Sequence, residues 1–153
     1  MKIIYKQGDL LECSEDAIVH GCNAQGVMGS GVAKAIKERY PEAYKAYLAT
    51  KKYGGMKLGG VSYWQENGFY VFNAITQQFY GRNKHVTYVS YDAVAEVFNM
   101  LNIFCQENDI TAIALPKIGA GLANGDWNII EKIIEEECTD VQPVVYVLEG
   151  DNT

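Results

Sequence analysis

No stretch of this chain approaches the roughly 18 to 20 consecutive apolar residues of a bilayer span, so a helical membrane anchor is excluded from the start. Basic residues are scarce as well. The count of 13 Lys and Arg against 19 Asp and Glu gives a net charge of −6 and a pI near 4.9, which argues against general nucleic-acid binding through phosphate tracking. An anionic small molecule remains compatible, provided that backbone amides hold it and not a basic field. The four cysteines, at 13, 22, 105 and 138, show no CxxC spacing and read as reduced, buried thiols. His20 and Cys22 together supply at most two of the four close ligands a structural zinc needs, so neither a metal nor a cofactor is expected. The opening MKIIYKQGDLLEC has no apolar h-region and no small-residue cleavage pattern, which predicts a cytoplasmic protein.

Familiar phosphate and nucleophile motifs are missing too. A P-loop requires Lys after Gly31, where Val32 stands, and the dinucleotide fingerprint requires Gly where Lys34 stands. None of the four cysteines has an Arg six residues on, and no GxSxG elbow occurs.

What is there is a balanced, foldable chain: 48% hydrophobic and 21% charged over 153 residues, read as a single domain over 1–153 that acts as a monomer. Strands are expected at 2–6, at 16–22, at VSYW and FYVFNAI joined through Asn67-Gly68, at TAIALP and at PVVYVL. Helical spacing runs from Val32 to Tyr40, restarts after Pro41 over 42–49, covers 87–107, and returns at 127–137 with Ile129, Ile130, Ile133 and Ile134 facing inward. Gly54, Gly55, Gly59 and Gly60 are expected to form a loop. Apolar runs without alternation, such as AIV, AIAL and VVYVL, suit strands covered on both faces. The predicted architecture is therefore α/β, three layers (α/β/α) around a mixed, mostly parallel sheet.

Two strands each end in a glycine loop leading into a helix, Asn23 to Val32 and Pro116 to Asp126. In open α/β sheets such loops lie outside the carboxyl ends of the strands, where ligands bind, and two facing loops can grip a diphosphate. The residue types leave alternatives open. Asp9 fits a Gly-Asp turn, Asn23 a strand-end cap, His20 a core residue, and Asp126 the cap of the helix starting at Trp127. Lys34, Lys37 and Arg39 read as a solvated helix face and His85 as surface.

The order GDLL at 8–11, DAIVHGCNAQGVMGSGVAKAI at 16–36 and LPKIGAGLANGDW at 115–127 resembles the macro domain, the ADP-ribose-binding α/β/α module, over essentially the whole chain. Within that superfamily it is most similar to the branch with ADP-ribose 1''-phosphate phosphatases and enzymes that remove ADP-ribose from glutamate or DNA. The resemblance implies that Asp9, with Leu10 beside it, accepts the adenine amino group. It implies that Gly29, Ser30, Gly31 and Val32, facing Gly119, Ala120, Gly121 and Leu122, bind the diphosphate, and that Asn23 and Gln77 lie at the distal ribose. His20, Asn23 and Asp126 are the implied catalytic groups, His20 because phosphatase-like members carry histidine there. The implied activity is hydrolysis of ADP-ribose 1''-phosphate to ADP-ribose and phosphate. A reader of ADP-ribose, free or on macromolecules, and a hydrolase of ester- or DNA-linked ADP-ribose are the alternatives. Two departures matter: Ala33 stands where members that hydrolyse through an aspartate-held water place that acid, and Gln77 and Ala123 stand where the lysine-using branch has its lysine and the acid after its second glycine loop.

Overall fold

The computed structural model describes residues 1–53 and 56–148; Gly54 and Gly55 of the expected glycine loop, and 149–153, lie outside the described residues. The elements run β1 (Ile4–Gln7), β2 (Ala17–Asn23), α1 (Gly31–Arg39), α2 (Pro41–Ala49), β3 (Val61–Glu66), β4 (Phe69–Gln77), α3 (Tyr91–Glu107), β5 (Ala112–Leu115), α4 (Trp127–Glu137) and β6 (Gln142–Val147). The strands form one sheet in the order β1-β6-β5-β2-β4-β3, parallel throughout except for the β3–β4 hairpin. That hairpin turns through Asn67 and Gly68, both at positive φ, as the Asn-Gly pair demands.

Both sheet faces are covered, and the alternation along β2 shows it. Ala17 and Val19 pack with α3 and α4, in a cluster with Val94, Phe98, Ile130 and Ile134, while Ile18 packs with Ile36 of α1 and Ala43 of α2. Each of the large aliphatic groups contributes about 1.5–3 kcal/mol when fully buried. The expected three-layer α/β/α mixed sheet is the observed one. α4 is turned slightly from its expected setting: Ile130 and Ile134 are buried, Ile133 packs at the margin, and Ile129 faces solvent. Four isoleucines in six residues span more of the helix circumference than one sheet face covers.

α3 begins later than its apolar spacing implies. Residues 87–89 are not helical: Val89 bridges Gln77 in an antiparallel pair, Ser90 N–H donates to Thr76 O at 2.8 Å, and the Ser90 hydroxyl caps Ala93 N at 3.2 Å. Tertiary pairing overrides the local period there, and it fastens the 78–89 loop to the end of β4. Because β1, β6, β5, β2 and β4 are mutually parallel, the loops after β2, β4 and β5 all leave the same edge of the sheet.

Candidate functional site

β2 and β5 are adjacent, with Ile18 opposite Ala114, so their glycine loops emerge side by side. Between them runs a cleft with two lobes of about 420 and 810 Å³ that share Gly31, Val32, Pro116, Lys117 and Gly121 as common wall. This is the size range of small-molecule and cofactor sites.

The first loop is held open by its own side chains. Asn23 Oδ1 accepts from the N–H groups of Gln25 at 3.0 Å and Val27 at 3.2 Å, and its Nδ2 donates to Val27 O at 2.8 Å. Tyr47, reaching up from α2, donates to Asn23 O at 2.5 Å and accepts from Gly26 N–H at 3.1 Å. Gly31 sits at φ +61°, a conformation open to glycine, and opens α1; the Ser30 side chain provides no cap, and no acidic residue lies in the first turn. The unpaired N–H groups of that turn and the helix dipole favour an anion.

The glycines of the second loop divide by role. A Cβ on Gly119 would stand 2.7 Å from Val89, and one on Gly125 2.5 Å from the Gly119 carbonyl, so these two are required by packing. Gly121 has no atom within 4 Å of its would-be Cβ and faces open cleft. Leu122 reaches toward Gly31, so the loops confront each other across the groove.

Charge is distributed unequally along the cleft. Asp9 lines the larger lobe, with Leu10, Ala120, Trp127 and Asn128, and Arg82 lines the smaller one beside Tyr80, Gln77 and Asn23. Asp9 caps a local turn and also lines the cleft. Its Oδ1 accepts from Leu11 N at 2.9 Å and caps the 3-10 turn Leu10–Glu12, while the residue stays exposed at the cleft. The smaller lobe is lined by no carboxylate and no imidazole among the described residues; Arg82 and Lys117 are its cationic groups. Its Cys22 thiol is buried, and burial holds its pKa far above the ordinary value, which disfavours the thiolate.

Of the three expected catalytic residues, His20 and Asp126 lie outside the cleft lining and Asn23 lies within it. His20 is wholly buried and does not line the cleft; Nε2 lies 2.7 Å from Asn73 Oδ1, whose Nδ2 donates to Ala43 O at 3.0 Å and to Ser62 Oγ at 3.2 Å. With Asn73 accepting, Nε2 carries the proton and the ring is neutral. Burial pushes its pKa down to about 4. The reason is placement: β2 is covered on both faces, and His20 sits three residues before its end, below the rim. Asp126 is the N-cap of α4, its Oδ1 accepting from Asn128 N at 2.9 Å, and it does not line the cleft. Asn23 does line the cleft floor, but its side chain is committed to the first loop.

The cap has a measurable signature. Asp126→Ala is expected to lower stability in urea by about 1 kcal/mol, and Asp126→Asn by much less, with ligand affinity unchanged in both. A loss of affinity without a loss of stability would return Asp126 to the cleft.

Sequence reasoning did not single out Thr76, Tyr80, Arg82, Lys117, Trp127 or Asn128 as lining groups. A signal was present for one segment: Phe79, Tyr80, Arg82 and Lys84 put aromatics and cations together in an acidic chain.

Comparison with known proteins follows the same lines. The macro domain model matches residues 19–134. The ADP-ribose glycohydrolase OARD1 of Bos taurus is 29% identical over 150 residues, covering 96% of this chain and 92% of that protein. The ADP-ribose 1''-phosphate phosphatase of Meyerozyma guilliermondii is 28% identical over 167 residues, covering 88% of this chain and 93% of that protein. Among solved structures, the macrodomain of Thermus aquaticus DarG superposes with a TM-score of 0.80 at 29% identity, covering 95% of this chain and 97% of that one. With the family model matching most of the chain and a solved macrodomain superposing over nearly all of it, this chain belongs to the macro domain family.

Proposed function

We propose that the protein binds ADP-ribose along this cleft, adenine toward Asp9 and diphosphate between the two glycine loops, and hydrolyses the terminal phosphate of ADP-ribose 1''-phosphate. The observation that carries this reading is the polarity of the cleft. A carboxylate able to accept from an exocyclic amine stands at one end, backbone N–H groups and Lys117 line the shared middle, and Arg82 stands at the other end, where no carboxylate among the described residues lines the lobe to repel a dianion. With His20 and Asp126 outside the cleft, the residues present act by positioning and charge: the cations and the α1 N-terminus offset charge on the transferring phosphoryl group, and remote adenosine contacts fix its place. The similarity to a phosphatase and to a glycohydrolase supports hydrolysis of an ADP-ribose derivative.

A second reading is favoured by the rim of the smaller lobe. Phe79 and Tyr80 are 60% and 56% exposed, and Arg82, Lys84 and His85 follow with no acidic residue between them. The loop is tied down by Tyr80 N–H donating to Gln25 Oε1 at 2.9 Å and by Asn124 Nδ2 donating to Asn83 O and Val86 O at 3.0 and 2.7 Å. Exposed aromatics beside cations suit stacked bases and their phosphates, hence ADP-ribose carried on a nucleic-acid strand.

Calorimetry with ADP-ribose is the first test, with 1:1 binding expected. Asp9→Ala should weaken it by about 1.5–3 kcal/mol, the range for a hydrogen bond to a charged group. Release of phosphate from ADP-ribose 1''-phosphate supports the first reading. Release of ADP-ribose from a modified oligonucleotide, with none of phosphate, selects the second. Absence of any heat with folded protein overturns both.

A further inference from the structure

At the floor of the smaller lobe, three separate departures from good strand design coincide. Gly21 lies within β2, a central strand, where glycine weakens the strand and marks a close backbone approach. Its backbone is not in the left-handed region, so no turn requires glycine there. A Cβ at Gly21 would instead stand 2.9 Å from Thr76 Oγ1 and 3.0 Å from Ile118. The second departure is in the pairing of β2 with β4. Cys22 is opposite Ile75 and Asn23 is opposite Gln77, so Thr76 is the extra residue of a β-bulge. Bulges re-aim a side chain and recur next to active sites. Third, the Thr76 hydroxyl has no hydrogen-bond partner among the described residues, although the residue is only 1% exposed and lines the cleft beside Gly21.

Each feature costs stability, and a buried hydroxyl without a partner is rare in folded chains. Their coincidence at one point in the cleft needs a common cause. The geometry points to Thr76 as a specificity-determining residue, whose hydroxyl bonds a hydroxyl of the ligand's distal sugar ring beside Gly21. This rests on the ADP-ribose reading above. A sugar hydroxyl fits better than a phosphate. The threonine hydroxyl donates one hydrogen bond and accepts others, as a sugar hydroxyl does, and its neighbours Gly21 and Ile118 are neutral. The cations that match a phosphate, Arg82 and Lys117, are other parts of the lobe wall. Gly21 supplies the space, the bulge supplies the direction, and Thr76 supplies the hydrogen bond.

Thr76→Val keeps the shape and removes the hydroxyl. Calorimetry with two probes separates the distal contact from the rest of the cleft: ADP-ribose carries the distal ring and ADP lacks it. The expected result is a Kd for ADP-ribose raised about three- to tenfold, the range of one neutral hydrogen bond, with the Kd for ADP unchanged. The melting temperature should be equal or higher, because an unpartnered buried hydroxyl has been removed. Thr76→Ser, which keeps the hydroxyl, should bind ADP-ribose as the wild type does. If Thr76→Val does not fold, Thr76→Ala gives the same two-probe comparison. Equal shifts for ADP and ADP-ribose, or no shift for either, overturn the role of Thr76 and leave the ADP-ribose reading standing. Failure of the wild type to bind ADP-ribose overturns that reading and this inference with it.

Discussion

Gly121→Glu is expected to abolish ADP-ribose binding while leaving the fold intact. Nothing lies within 4 Å of a Cβ at this position, and its backbone is outside the left-handed region, so the new side chain enters without strain. It enters the groove shared by both lobes, where the diphosphate is proposed to lie. A carboxylate there adds bulk and sets like charge against like in a partly enclosed site, so affinity should fall by at least about a hundredfold, roughly 3 kcal/mol. Gly31→Glu should do the same with a penalty in stability, because a non-glycine residue at φ +61° costs about 1–2 kcal/mol. Lys34→Ala is the control: the side chain is exposed on α1 and does not line the cleft. Calorimetry beside thermal melts distinguishes the three. If Lys34→Ala removed binding and Gly121→Glu did not, side-chain charge would hold the phosphates and the backbone clamp would be wrong.

The second large effect concerns stability rather than binding. His20→Ala should destabilise the protein by about 2–4 kcal/mol, because it opens a space in a covered strand and leaves Asn73 Oδ1 without its donor. The same residue makes stability depend on pH. In the fold the imidazole stays neutral down to about pH 4, whereas in the unfolded chain it takes a proton near its ordinary 6.5. The unfolded state therefore binds the extra proton first. The contribution is complete above about pH 6.5 and is lost as pH falls toward 4, by on the order of 3 kcal/mol in all. Urea denaturation at several pH values should show a steeper decline between 6.5 and 4 for the wild type than for His20→Ala. Parallel curves would mean that the ring reaches solvent. A turnover defect in His20→Ala at full stability would restore it to the chemistry.

These two residues show where sequence reading succeeded and where it stopped. Gly121 lies in a motif whose consequences are local: a glycine run after an apolar strand and before a helix sets backbone conformation, and its meaning survives in any surroundings. His20 lies in a strand whose residue types fit either a site or a core. The difference between them is set by Asn73, Ser62 and Ala43, 53, 42 and 23 residues away in sequence, and no local pattern reports that. The start of α3 failed in the same way, since Val89 and Ala93 have helical spacing but the Thr76 carbonyl captures the Ser90 N–H.

The order of strands and helices, the three layers, the two glycine loops and the family resemblance were all determined by the sequence alone. Each rests on short-range periodicity, turn chemistry or a contiguous motif. The tertiary structure decided which polar groups face the cleft. It joined Asp9 and Arg82 to opposite ends of one groove, drew Asp126 and most of Asn23 into capping, and withdrew His20 into the core. It also turned Thr76 into the floor. The physical reason is that a polar side chain's role depends on its partners and on its distance from solvent, and the packing of β2, β4 and β5 against distant helices fixes both.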